Sequence, residues 1–221
     1  MTFNEAYERY LLELESNGIT DKISSTKGRF AVNYNKFLNR LVEYFIERKI
    51  DDDNRYIQIL KEIDVPISRS SKTKNSDIFK FPKNYFDFID LTAYGSSEKC
   101  KNQIFNVREI KAENLNSYRT DEFTKPSFKF RESYYIINKD GITLDKDQDF
   151  EFNKILLSYY RKPQEIQLID KDNPESDFIT AEIEFDEKFT NRVITLAASG
   201  HSLNTDDPKF QALMQQAISK I

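Results

Sequence analysis

The sequence predicts an α+β protein: a helical bundle made of the N- and C-terminal helices, with an antiparallel β-rich domain inserted between them. Two observations lead to this prediction. Apolar residues recur at helical spacing over residues 3–65 and again over 185–218, whereas segments rich in β-forming residues occupy residues 78–163. Runs of helices, then strands, then helices indicate α+β rather than a βαβ alternation. The two helical blocks are therefore expected to pack together.

The first helix begins with a capping box, in which Thr2 is the N-cap and Glu5 lies at N3. Gly18 is typical of a helix end and is predicted to stop it. A third helix is predicted to end at Val65-Pro66. Between the first and the third helix, a second helix is predicted over residues 22–48, because seven side chains form one wide apolar face. They are Phe30, Tyr34, Phe37, Leu38, Leu41, Val42 and Phe45.

The polar, basic stretch 67–76 has no periodicity, so it is predicted to be an exposed linker or loop. This stretch sets the first domain boundary. We divide the chain into an N-terminal helical part (1–66), an inserted β-rich domain (67–180) and C-terminal helices (181–221) that pack on the N-terminal part.

Two features indicate strands in the inserted domain. Asp140-Gly141 separates two β-rich runs and predicts a hairpin. Residues 154–161 are predicted to form a strand that Pro163 closes.

Helical spacing returns at Phe185, in a helix that Gly200 is predicted to end. Asp207-Pro208 then supplies an N-cap and a proline at N1 of a last helix. The apolar face of that helix consists of Phe210, Leu213, Met214, Ala217 and Ile218. This face is expected either to close the bundle or to dock into a neighbouring subunit.

The composition excludes several kinds of site. The chain has 221 residues with one His, one Cys and five Gly, which leaves no multi-His metal centre, Cys-rich metal site, internal disulfide or glycine-rich nucleotide loop. We expect no metal and no cofactor. The 33 basic and 37 acidic residues give a net charge of −4, which argues against a surface built to hold nucleic acid tightly. No signal peptide or membrane-spanning helix is expected.

The candidate catalytic groups are each better explained by structure. His201 follows a helix end, where it is a good partner for the helix dipole. Cys100 lies in a charged, exposed loop with no second thiol to support it. Asp51-Asp52-Asp53 is interpreted as helix capping, and residues 145–149 as a solvated turn, because the glycine and glutamate of a calcium loop are missing. We therefore expect that the protein is not an enzyme.

Two clusters suggest partners instead. The loop cations Arg69, Lys72 and Lys74 form the one local positive cluster of an acidic chain. A solvated loop is one interpretation, and a contact to DNA or to an acidic partner is the other. Tyr159-Tyr160-Arg161-Lys162 combines aromatic and basic side chains of the kind that stack on bases. Alternate residues of a strand face opposite sides, so half of this second cluster is expected to lie in the core.

Taken in order along the chain, four stretches resemble the head–tail adaptor proteins of tailed bacteriophages. The opening Phe3-Asn4-Glu5-Ala6-Tyr7 resembles their first helix. Phe79-Lys80-Phe81-Pro82-Lys83-Asn84-Tyr85-Phe86 is similar to their strand entry, although Asn84 stands where the family often has Asp. Leu157-Ser158-Tyr159-Tyr160-Arg161-Lys162-Pro163 is similar to their closing strand. Residues 185–208 resemble their paired C-terminal helices.

The resemblance is to portal-adjacent ring proteins of the tail tubular protein A type, and the abundant Lys, Asn and Ile are compatible with the crAss-like short-tailed group. It implies a structural virion protein at the head–tail junction, assembled in the host cytoplasm. Its implied partners are further copies in a closed, twelve-fold ring, the portal protein, tail or further ring proteins, and genome DNA that passes through the channel without tight binding. No membrane is involved. The docking face on the portal would be Phe210, Leu213, Met214 and Ile218.

Two other function classes stay open at this point. One is a partner-binding module of a phage or bacterium that forms no ring. The other is a small hydrolase or nuclease whose site would involve His201 or residues 51–53. Ring formation separates the first class from a connector, and alanine at His201 and at residues 51–53 tests the second.

Overall fold

The computed structural model describes residues 1–20, 25–47, 55–179 and 182–200, together with Ala212. The chain divides into two compact units. The first combines residues 1–59 with 163–221, and the second is the continuous segment 60–162. The domain boundaries predicted from the sequence stay a prediction.

The helices are α1 (Phe3–Ser16), α2 (Lys27–Glu47), α3 (Arg55–Gln58), α4 (Leu115–Thr120) and α5 (Glu187–Ser199). The strands are β1 (Lys61–Ser68), β2 (Ser71–Lys72), β3 (Ser76–Lys80), β4 (Tyr85–Ser96), β5 (Gln103–Glu109), β6 (Glu132–Asn138), β7 (Gly141–Asp145) and β8 (Glu151–Arg161).

The predicted fold class is wrong. The protein is a β-rich α+β fold around a curled, mixed sheet, not a helical bundle with an inserted antiparallel domain. The sheet of residues 60–162 has eight strands in the order β1-β8-β4-β5-β6-β7-β3-β2. The sheet is mixed because β5 pairs with β6 in parallel. In this pair Asn106 lies opposite Glu132 and Glu109 lies opposite Tyr135. A parallel pair needs a crossover, and α4 lies in that connection.

Strand β1 replaces the C-terminal part of the predicted third helix and the start of the predicted linker. The helical pattern continues only through α3, after which Lys61–Ser68 pairs antiparallel with β8. A bulge between Glu62 and Val65 puts Asp64 at a φ of 53°, and the Asp64 N–H donates to Ser158 Oγ at 3.1 Å. The apolar residues here therefore meet a distant strand rather than a helical neighbour.

Several local predictions are confirmed. Thr2 and Glu5 form the capping box of α1, and Gly18 lies just beyond its end with a φ of 75°. The hairpin predicted at Asp140-Gly141 joins β6 and β7 through a turn at Lys139-Asp140, and β8 contains the predicted strand. Gly200 is the C-cap of α5 in a right-handed conformation.

The first unit has an aromatic core between α1, α2 and α5. The rings of Tyr10 and Phe30 are 5.2 Å apart, and both side chains are fully buried. Phe45 of α2 approaches Phe189 of α5, with ring centroids 6.3 Å apart. At its polar edge, Arg9 of α1 donates to the side chains of Glu187 and Asn191 at 2.6 Å each. These contacts align α1 with α5.

The core of the second unit lies on the concave face of the sheet. Phe105, Phe150 and Phe152 form its centre, with ring centroids 4.9 to 5.3 Å apart. Aromatic pairs at such separations add to the free energy of burial. The sheet curls far enough that β3 comes next to β8, and this approach brings together the charged groups described below.

Candidate functional site

The basic loop identified from the sequence lies between β1 and β3. Arg69 directly follows β1, Lys72 belongs to β2, and Lys74 lies in the turn that leads to β3. The turn is closed by Thr73, whose Oγ1 accepts the Ser76 N–H at 3.0 Å. The predicted linker is therefore a paired β-hairpin and not an open loop.

This hairpin forms one wall of an open cavity of about 470 Å³. Residues after the end of β7 and at the start of β8 form the other wall. The lining residues are Lys72, Thr73, Lys74, Lys146, Asp147, Gln148, Phe150 and Glu151. Three lysines and two carboxylates thus face the same space, so its charge is nearly balanced.

Glu151 pairs with two of the three predicted contact residues. Its carboxylate accepts from Arg69 at 2.8 Å and from Lys72 Nζ at 3.0 Å. These two hydrogen bonds, that of Arg69 first, lower the pKa of Glu151 from its usual 4.5 to about 2. Glu151 is therefore ionised at neutral pH, and it neutralises much of the positive charge that the loop shows in the sequence.

Beneath the cavity, Asp77 of β3 is a fully buried carboxylate. It accepts from Lys146 Nζ at 3.0 Å, from Arg69 at 3.2 Å and from the backbone N–H of Phe152 at 2.7 Å. Lys146 is 6% exposed. A buried charge needs partners of this kind to offset its desolvation. The sequence analysis missed both residues because their charge predicts exposure.

A second buried carboxylate lies close by. Asp145, 2% exposed, accepts from Arg119 Nε at 2.9 and 3.1 Å. Burial raises the pKa of Asp145, and its hydrogen bond with Arg119 opposes that shift. The interpretation of residues 145–149 as a solvated turn is wrong at Asp145, which ends strand β7, is buried and pairs with Arg119 of α4.

The other candidates lie apart from this cavity. Cys100 is a free, exposed thiol, as predicted. Tyr159 is buried and donates to Asn84 Oδ1 at 3.0 Å, whereas Tyr160 is half-buried, so part of the aromatic–basic cluster lies in the core as expected.

Three other candidates fall outside the described residues: His201, residues 51–53 and the apolar face of the last helix. That face is Phe210, Leu213, Met214 and Ile218.

Among the described residues, no group of three or more His, Cys, Asp or Glu side chains is placed to hold a metal ion. No helix in that part of the chain is long and apolar enough to cross a membrane. No protein-family model matches the chain, and no curated protein matches its sequence. The cavity offers a nearly balanced set of charged side chains, several of them in ion pairs.

Proposed function

We propose that the chain is a structural virion protein, not an enzyme, that forms a head–tail connector ring between portal and tail. The genome would pass through the channel of the ring. The order of motifs that resemble head–tail adaptors supports this function. The structural observation that carries the proposal is the exposure of Phe123, which is 94% exposed on an ordered projection of the second unit.

The projection comprises residues 111–131, the connection between β5 and β6 that contains α4. It is anchored at two points. Arg119 binds the buried Asp145, and the Phe128 ring packs 5.7 Å from Phe105 of the core. An apolar side chain on an anchored segment costs little conformational entropy when it is buried by a partner.

Aromatic side chains are enriched at protein contacts. Phe130, 69% exposed, lies on the same projection. A ring requires heterologous contacts, in which one surface of a subunit meets a different surface of the next. The projection supplies one such surface.

The charge balance of the cavity supports passage of DNA rather than a firm grip on it. Each lysine or arginine that neutralises a phosphate adds affinity through counterion release. Arg69 and Lys72 are already paired with Glu151, so they have less charge to offer to a phosphate. A channel that lets DNA slide benefits from this arrangement.

Negative-stain microscopy of the purified full-length chain, alone and with the portal protein, tests the proposal. We expect closed rings, at least on the portal. Deletion of residues 208–221 is expected to abolish portal binding while the protein stays folded, as judged by circular dichroism. Stable one-to-one complexes without rings would support a partner-binding module instead, and the absence of any complex with portal would overturn the proposal.

A further inference from the structure

We propose that the projection of one copy binds an acidic hairpin in the first unit of a second copy. The acidic hairpin is defined as residues 167–179. This contact would be a subunit interface of the ring, so the inference rests on the proposed function. Both segments expose apolar side chains, and their net charges are opposite.

The hairpin is ordered and exposes one apolar face. Its strands are joined by hydrogen bonds from Ile169 N–H to the Asp177 carbonyl and from Ile179 N–H to the Gln167 carbonyl, each 2.8 Å. Leu168 and Phe178 form a bridge pair between them. Phe178 packs on Phe3 and Phe30 of the helical core, with ring centroids 5.9 and 6.0 Å apart.

Because side chains alternate across a strand, the neighbours of that inward pair point away from the core. Ile169 is 67% exposed and Ile179 is 58% exposed. The hairpin thus presents two isoleucines on the face opposite the one that anchors it.

The two surfaces have opposite charge. Residues 121–131 carry three cations against two anions, and the cations Lys125, Lys129 and Arg131 are all exposed. Residues 169–179 carry four anions against one cation. One of those anions, Asp177, pairs with Lys27 at 2.7 Å, which leaves Asp170, Asp172 and Glu175 around the isoleucines. Opposite charges around an apolar centre orient a contact and suppress wrong pairings.

A second copy is the partner that this complementarity favours. The two surfaces belong to the same chain, so every copy brings both. Contact between different surfaces of identical chains is heterologous and propagates from subunit to subunit, which closes a ring when the rotation permits.

Cross-linking between two differently tagged variants tests the contact. In a Cys100→Ser background, one variant carries Phe123→Cys and the other Ile169→Cys. A short bismaleimide is expected to join the two introduced cysteines. A covalent dimer that carries both tags contains one chain of each variant, so the cross-link lies between copies. The matched control replaces Ile169→Cys by Leu12→Cys, which is 65% exposed on α1 and is expected to give no such dimer.

Charge reversal provides the second measurement. The double variant Lys125→Glu/Lys129→Glu is expected to weaken self-association by roughly tenfold or more, because like charges then face each other. A second chain that carries Asp172→Lys/Glu175→Lys has the complementary charges. Mixing it with the Lys125→Glu/Lys129→Glu variant is expected to restore association between the two chains. Lys99→Glu/Lys101→Glu, the same charge change in another exposed loop, is the control and is expected to have no effect. Association is measured by mass photometry of the full-length proteins.

The outcomes separate this inference from the proposed function. Rings that form normally, without the mixed cross-link and without sensitivity to charge reversal, would overturn the interface and leave the connector intact. A mixed cross-link in a protein that makes no ring with or without portal would support the contact and overturn the connector. Neither rings nor the cross-link would overturn both.

Discussion

The carboxylate of Asp77 on β3 accepts the backbone N–H of Phe152 on β8 at 2.7 Å. The two strands are not neighbours in the sheet order, so this side chain satisfies a backbone group where the sheet curls upon itself. The other oxygen of Asp77 accepts from Lys146 and Arg69. One buried carboxylate therefore holds together β3, β8 and the loop that carries the candidate contact residues.

Replacing Asp77 by asparagine is expected to destabilise the protein by about 3–5 kcal/mol, because it leaves Lys146 buried without an anionic partner. Urea unfolding followed by circular dichroism measures the change. Asp87→Asn, an exposed position on β4, is the control and is expected to change the free energy of unfolding by less than about 0.5 kcal/mol. Equal effects of the two variants would contradict the role of Asp77.

Structural features that depend on neighbouring residues could be predicted from the sequence, whereas features that depend on contacts between distant segments could not. The capping box of Thr2 and the Asp140-Gly141 turn depend only on neighbours in the chain, and both are confirmed. Residues 61–68 are predicted as helix and linker because Ile59, Leu60 and Ile63 recur at helical spacing and the residues after Pro66 are polar, whereas the pairing partner β8 lies about ninety residues later. The strand state of β1 is a tertiary effect, which a pattern of single residues does not contain.

The candidate site divides in the same way. The basic character of Arg69, Lys72 and Lys74 is visible in the sequence, but the pairing of Arg69 and Lys72 with Glu151 depends on a contact about eighty residues away along the chain. The burial of Asp77 and Lys146 contradicts the usual exposure of charged residues, so no pattern signals it. Arg119, in a segment without clear periodicity, gains its role from its hydrogen bonds to Asp145, a residue of β7 distant along the chain.

Glu151 is expected to make the free energy of unfolding depend on pH. Its pKa falls from 4.5 to about 2 on folding, so its stabilising effect is fully present above pH 4.5 and is lost as the pH falls towards 2. Its side chain is 41% exposed, so solvent screening keeps the effect to about 1 kcal/mol or less. Glu151→Gln is expected to be less stable than the wild type at pH 7 and equal to it near pH 2. Denaturant unfolding across this range measures the difference, with the exposed Glu122→Gln as control.

Phe123→Asp is expected to leave the free energy of unfolding within about 0.5 kcal/mol of the wild type, because the side chain is 94% exposed. Any loss of ring assembly in this variant then reflects a lost contact rather than unfolding. Phe128→Asp is the contrasting variant, since its ring packs on Phe105 and Phe150, and a charge there is expected to destabilise the second unit. Thermal unfolding separates the two positions, and equal destabilisation would contradict the exposure of Phe123.

Arg119→Ala is expected to free the projection and to destabilise the protein by about 2–4 kcal/mol at pH 7, because Asp145 stays buried without its partner. Burial already raises the pKa of Asp145 above 3.8, and the loss of Arg119 raises it further. The folded state then binds a proton more readily than the unfolded state, so the stability deficit grows as the pH rises from 4 to 7. Unfolding at both pH values measures this trend, and limited trypsin digestion is expected to cut faster at the exposed Lys129. Arg108→Ala, whose side chain is 68% exposed, is the control, and a deficit that shrinks as the pH rises would contradict the assignment.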